Sequence, residues 1–211
     1  VKWFEFTRKT IKTLNSAQCQ FFYRDSIFKQ ALKNKGIIVE VELTLPKAWQ
    51  ANLSYTGLSE LAQSVSAKEI MNKVISLRQA KLPDPRELPN AGSFFKNPVV
   101  TERKLEILKK SYPHIPFYPQ KKGQVKLAAG WLIEQAGLKG YRQNGVGVHA
   151  HQALVLVNYE SEIGDDILAL AKYVQQHVFA MFDILISPEV MMITAQGEQN
   201  FAELLLAREH S

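Results

Sequence analysis

Residues able to do chemistry cluster in one stretch, Asn90-Ala-Gly-Ser-Phe-Phe-Lys-Asn-Pro98. Small residues there let the backbone approach a ligand, and Gly92 can take positive φ. Ser93 offers a hydroxyl; Lys96 and Asn97 offer donors. Phe94 and Phe95 would anchor the loop in a core. Residue composition alone favours reading the stretch as a tight connection with Ser93 as a cap. Ser93 lacks the G-x-S-x-G elbow of a hydrolase nucleophile. Glu189 follows Pro188 between apolar runs, as either a solvated turn residue or an acid held in a cleft. Tyr23-Arg24-Asp25-Ser26 is a polar-tipped turn in which Arg24 and Asp25 can pair, and Tyr23 is its sharper ligand candidate. Gln152 leads into an apolar run and offers an amide at its mouth. His149 and His151, two apart, would share a strand face as zinc ligands do, but no third ligand is near. No metal is expected. Gly145-Val-Gly147 lacks the third glycine and the following helix of a dinucleotide loop.

The elements that must position these groups follow from periodicity. Residues 1–7 read as a strand, 8–15 as polar turn and 19–23 as an aromatic strand. In residues 36–45, Val39, Val41, Leu43 and Leu45 alternate with polar residues, a half-buried strand. Ser66-Ala-Lys-Glu69 is a capping box. It predicts a helix with Ile70, Val74 and Leu77 on one face, ending before Pro83. Residues 81–98 are punctuated by prolines, which suggests a boundary. Helices are expected over 102–111 and 126–138, the latter capped by Gly140. Residues 153–158 read as a buried strand. Asp165 and Asp166 open a helix with Ile167, Leu170, Val174, Val178 and Met181 as its stripe. Short strands are expected at 184–186 and 190–193. This mixture is α+β, in two parts.

Composition narrows the class. With 26 Lys+Arg against 20 Asp+Glu the chain is basic, +6, which favours anionic partners. The positives are dispersed, so they read as solvated surface rather than a nucleic-acid face, and no nucleic-acid partner is expected. A diphosphate-bearing small molecule suits the charge as well. The one cysteine excludes a disulfide framework. No run reaches the ~18 apolar residues of a membrane span, so no membrane partner is expected. The chain opens without Met in a strand-like pattern, which suggests a fragment.

Taken in order, YRDSIFK, LRQAKLPDP, NAGSFFKNP, KLAAGWLIEQAGLKG, HQALVLVN and PEV resemble the C-terminal part of the UDP-N-acetylenolpyruvoylglucosamine reductase (UDP-N-acetylmuramate dehydrogenase) family. The resemblance spans nearly the whole chain. It implies that residues 1–82 end an FAD-binding domain, 83–186 form a smaller substrate-binding domain, and 187–211 return to the flavin half. It implies a cytoplasmic, monomeric flavoenzyme of peptidoglycan precursor synthesis. That enzyme uses FAD and NADPH to reduce UDP-N-acetylglucosamine enolpyruvate to UDP-N-acetylmuramate. The hydride goes from flavin to C3, and a proton from Ser93 to C2. Glu189 resembles the family's catalytic glutamate. Tyr23, Lys81, Asn97, Tyr118, Lys139 and Gln152 resemble its substrate-holding residues. Arg78 is a weaker candidate near the flavin or the substrate. The family's Gly-rich flavin turns and catalytic arginine have no counterpart in this sequence. The alternatives are a non-catalytic UDP-sugar-binding fragment and a basic RNA-binding domain. A flavin absorption band separates the first reading from both, and a steep salt dependence marks the last.

Overall fold

The computed structural model describes residues 1–55, 57–61 and 64–204. The chain divides into two compact units, Val1–Asn52 and Leu53–Ser211. Every sheet is antiparallel and helices are interspersed, so the fold class is α+β.

In the first unit, β1 (Lys2–Glu5) lies between β2 (Thr10–Thr13) and β3 (Gly36–Glu40). Trp3 and Cys19 are its buried apolar residues. Residues 8–15 are therefore not all turn. Lys9 takes a left-handed φ of 52°, and the β-branched run Thr10-Ile11 and Thr13 returns as a strand. The strand expected at 36–45 stops at Glu40. Its neighbour β1 is four residues long, and its register ends at Lys2↔Glu40. Val39, Val41, Leu43 and Leu45 are all exposed rather than alternately buried. The strand expected at 19–23 is absent too. A single helical turn, α1 (Ser16–Cys19), opened by an Asn15–Gln18 capping box, ends there with Gln20 in the left-handed conformation.

In the second unit, α2 (Ala67–Lys81) starts where expected. Glu69 N donates to Ser66 Oγ at 3.3 Å and Ser66 N to Glu69 Oε2 at 2.8 Å. The Ser66 hydroxyl, which donates to Glu69 Oε2 at 2.6 Å, and then the Ser66 N–H hold the Glu69 carboxyl below its usual range. Leu82 is extended ahead of Pro83, and the helix ends. Ile70, Val74 and Leu77 are half-buried.

One sheet has the order β4 (Asn90–Ser93), β10 (Val155–Asn158), β9 (Val146–Val148), β8 (Arg142–Gln143). Val155, Leu156 and Val157 are all buried, because β10 is paired on both edges and covered on both faces. α5 (Gly164–Phe182) packs on β9 and β10. Its stripe is Leu170, Val174, Val178 and Phe182. Met181 is exposed, because Phe182 carries the i+4 spacing from Val178.

A second sheet has the order β5 (Val99–Thr101), β7 (Gln124–Leu127), β6 (Phe117–Pro119). It packs with α3 (Glu102–Ser111), which matches its expected bounds. The helix expected at 126–138 is split. Lys126 and Leu127 pair with Val99 and Phe117, so they belong to β7. α4 (Ala129–Gln135) follows, and the chain leaves it through Gly137 at φ +75° rather than at Gly140. Residues 184–186 form no ladder. β11 (Met192–Thr194) and β12 (Gly197–Gln199) form a hairpin. Residues 205–211 of the expected tail lie outside the described residues.

Candidate active site

The segment 90–97 reaches its place through two local devices. After α2, Asp84 accepts two side-chain hydrogen bonds from Arg86, which hold its carboxyl down to about 2. Asn90 Nδ2 then donates to the Leu88 carbonyl at 2.8 Å and to the Pro83 carbonyl at 3.3 Å. The end of α2, carrying Arg78 and Lys81, is thereby tied to the start of β4. Within β4 the register to β10 slips between Val155↔Ser93 and Val157↔Asn90. Gly92 supplies this bulge with φ +73°, and its N–H donates to Asn90 Oδ1 at 2.9 Å. A bulge re-aims the residue after it, here Ser93, which is exposed.

Beyond Ser93 the chain is held from both sides. Phe94 N donates to the Leu154 carbonyl at 2.7 Å. On the other side Glu189 N donates to the Phe94 carbonyl at 2.7 Å and Lys96 N to the Ser187 carbonyl at 2.8 Å, around a Phe95↔Pro188 bridge. Phe94 and Phe95 are buried with rings 5.0 Å apart, edge to face. The pair is the anchor their type suggested. Three distant stretches, 90–97, 152–155 and 187–189, thus converge through their backbones, and they carry Ser93, Gln152 and Glu189.

Asn97 has a role that its sequence did not reveal. Its Oδ1 accepts from Ala129 N at 2.9 Å, capping the start of α4 and leaving the Nδ2 hydrogens as donors. Gly130 in α4 makes room for Gln152, since a Cβ there would stand 3.2 Å from Gln152 Oε1. Tyr118 lies on β6 opposite Lys126, whose ammonium sits 5.4 Å from the phenol ring centre. Lys139 reaches Glu134 at 2.8 Å. Tyr23 belongs to the first unit. It sits at the tip of a turn closed between Phe22 and Asp25, with Arg24 5.9 Å from its ring. Asp25 is fixed by Gln30 and by the Ser26 N–H, so the tip presents Tyr23 and Arg24.

His149 and His151 pack edge to face, 5.6 Å apart. Among the described residues no group of three or more His, Cys, Asp or Glu could hold a metal ion. Burial, and then the neighbouring His151, lower the His149 pKa from the ordinary 6.5. Its imidazole therefore contributes its full stability above pH 6.5. Below that the unfolded chain takes up a proton that the folded one resists, and stability falls as pH falls through this window. An NMR titration of the histidine ring protons is expected to place the His149 midpoint below 6.5. A midpoint at or above that value contradicts the burial.

Backbone bonds thus join the stretch that holds Ser93 and Asn97 to those that hold Gln152 and Glu189. Residues 84–193 match the family model described as "UDP-N-acetylenolpyruvoylglucosamine reductase, C-terminal domain". A protein of that name from Pseudoalteromonas translucida is 50% identical over 198 residues, 94% of this chain and 59% of the relative. Those of Pasteurella multocida and Yersinia pestis are 48% and 46% identical, over 88% and 95% of this chain and 54% and 59% of the relatives. The chain spans somewhat over half the length of these curated relatives. It belongs to the UDP-N-acetylenolpyruvoylglucosamine reductase family.

Proposed function

We propose that this chain carries the substrate-binding and proton-delivering part of a flavoenzyme. The reaction is the NADPH-dependent reduction of UDP-N-acetylglucosamine enolpyruvate to UDP-N-acetylmuramate, a step of peptidoglycan precursor synthesis in the cytoplasm. The observation that carries this reading is the backbone convergence of 90–97, 152–155 and 187–189, in which Glu189 N bonds the carbonyl of Phe94, the residue after Ser93. The family match begins at residue 84. That supports a substrate-binding domain over 83–186, with 1–82 as the end of the flavin domain and 187–211 returning to it.

Ser93 is the acid that protonates C2. A hydroxyl is a weak acid, but a carbanion-like centre is basic enough to take its proton. Glu189, when protonated, donates a hydrogen bond to the enolpyruvyl carboxylate, on which charge builds as C3 is reduced. Such preorganised partners act where charge develops. Asn97 offers its Nδ2 hydrogens and Gln152 its amide to the sugar diphosphate. Lys81 offers an ammonium, and Lys139 can exchange Glu134 for a phosphate oxygen. Tyr118 offers a phenol to the UDP-sugar, and Tyr23, on the first unit, is a separate candidate for the same substrate.

The residues present fit the substrate better than they fit FAD. When bound, FAD supplies two-electron reducing power drawn from NADPH. Of the candidates, Arg78, exposed on α2, is the one offered to the flavin or the substrate. The clefts of about 490 Å³ beside Ala136, Gln176 and His177, and of about 260 Å³ beside Arg142 and Tyr159, include none of the candidate residues.

In a full-length enzyme, Lys81→Ala is expected to raise the Michaelis constant about ten- to a hundredfold while turnover changes little. A charge-assisted contact to phosphate is worth roughly 1.5–3 kcal/mol, and it is made alike in ground and transition states. Steady-state kinetics with varied UDP-sugar reads the split. Collapsed turnover at an unchanged Michaelis constant contradicts a diphosphate contact.

A further inference from the structure

The strap that carries Glu189 is fixed by more than its strand bridge. α5 ends at Phe182, and Asp183 adopts the left-handed conformation, φ 51° and ψ 48°. The chain thereby reverses and runs back along the helix. Ile184 and Ile186 are buried while Leu185 and Ser187 are exposed, an extended alternation. Three extended residues advance about 10 Å, and two helical turns cover about the same distance. Ile186 therefore comes level with Gln175. There Gln175 Nε2 donates to the Ile186 carbonyl at 2.7 Å, in a partly buried setting. Ile186 itself is fully buried, where a carbonyl needs a partner. The next residue, Ser187, accepts from Lys96 N, and Glu189 N reaches the Phe94 carbonyl.

We propose that Gln175 is a positioning residue. Its amide sets the height of the strap on α5, and through it the place of Glu189 against Phe94, the residue after Ser93. This rests on reading Glu189 as the group that meets the enolpyruvyl carboxylate. A side chain on the core boundary of α5 thus acts on the reaction without touching substrate. Small displacements matter here, since a shift of about 1 Å can cost about a hundredfold in rate.

The test compares Gln175→Met, similar in length but without a donor, with Gln175→Lys, which restores an N–H donor, both in a full-length enzyme. Two readouts are taken: hydrogen exchange of the Lys96 and Glu189 amides, and rapid-mixing rates of the two half-reactions. In the methionine variant both amides are expected to exchange faster, with the denaturation midpoint of the rest of the protein little changed. Reduction of the enolpyruvyl sugar slows about ten- to a hundredfold, while NADPH oxidation and the Michaelis constant stay near wild type. The lysine variant recovers most of both effects. Wild-type exchange and rate in Gln175→Met overturn the proposal, as does a lysine variant no better than methionine. Faster exchange with an unchanged rate also overturns it. In that case Glu189→Ala tells which claim failed: if it too reacts normally, the reading of Glu189 fails, and if it is slow, only the role of Gln175 does. Should Gln175→Met not fold, Gln175→Asn, which draws the donor back by one methylene, carries the same comparison.

Discussion

Replacing Ser93 by alanine in a full-length enzyme is expected to slow reduction of the enolpyruvyl sugar by about 10²- to 10⁴-fold, the range for loss of a positioned proton donor. Reduction of the flavin by NADPH should keep its rate, because that half-reaction needs no proton at C2. The fold itself should tolerate the change. Ser93 is exposed and adds only an oxygen to the β4 bulge, whose shape is set by Gly92 and Asn90. Rapid-mixing absorbance separates the two phases. If the reduced flavin were reoxidised by the enolpyruvyl sugar at the wild-type rate, Ser93 would not be the donor.

Glu189→Ala is expected to lower turnover about 10²- to 10³-fold, the loss seen when one preorganised partner of a developing negative charge is removed. Its backbone bond to Phe94 survives substitution, since the N–H and not the side chain makes it. That backbone link of the strap is kept in the variant. Glu189→Gln keeps a neutral hydrogen-bond donor at the same distance along the side chain and should lose less than the alanine variant. Equal rates for wild type and Glu189→Ala in the enolpyruvyl half-reaction would remove Glu189 from the chemistry. An alanine variant with lost affinity but intact turnover would make it a ground-state contact only.

The parts of this fold that were legible in the sequence are those written in local code. The Ser66–Glu69 box opens α2, Thr101 and the Tyr112-Pro113 stop bound α3, and the spacing of Leu170, Val174 and Val178 marks the buried face of α5. β10 was visible because both its faces are apolar. Other elements depend on a partner distant in the sequence. Residues 36–45 alternate as a strand should, yet pairing ends with the four residues of β1. Lys126 and Leu127 suit the helical pattern that follows them, but the edges of β5 and β6 claim them for a sheet.

The candidate site divides in the same way. Ser93 and Glu189 were visible as residue types and through the ordered blocks of the family. Their proximity was not, because it arises from a bridge between residues 95 and 188. The capping of α4 by Asn97, the clearance that Gly130 gives Gln152, and the grip of Gln175 on Ile186 are contacts across the fold. A glutamine on a helix carries no local sign of such a contact. The half-buried polar position on an otherwise apolar flank of α5 is the one hint that the sequence held.

Three backbone-linked stretches of the second unit are proposed to assemble the substrate site. Hydrogen exchange of a full-length enzyme, with and without UDP-N-acetylglucosamine enolpyruvate, tests it most directly. Ligand is expected to protect residues 90–97, 149–155 and 186–190 together, because each stretch is bonded to the next. Protection confined to the cleft beside Arg142 and Tyr159, or absent from those three stretches while the ligand is bound, would contradict it.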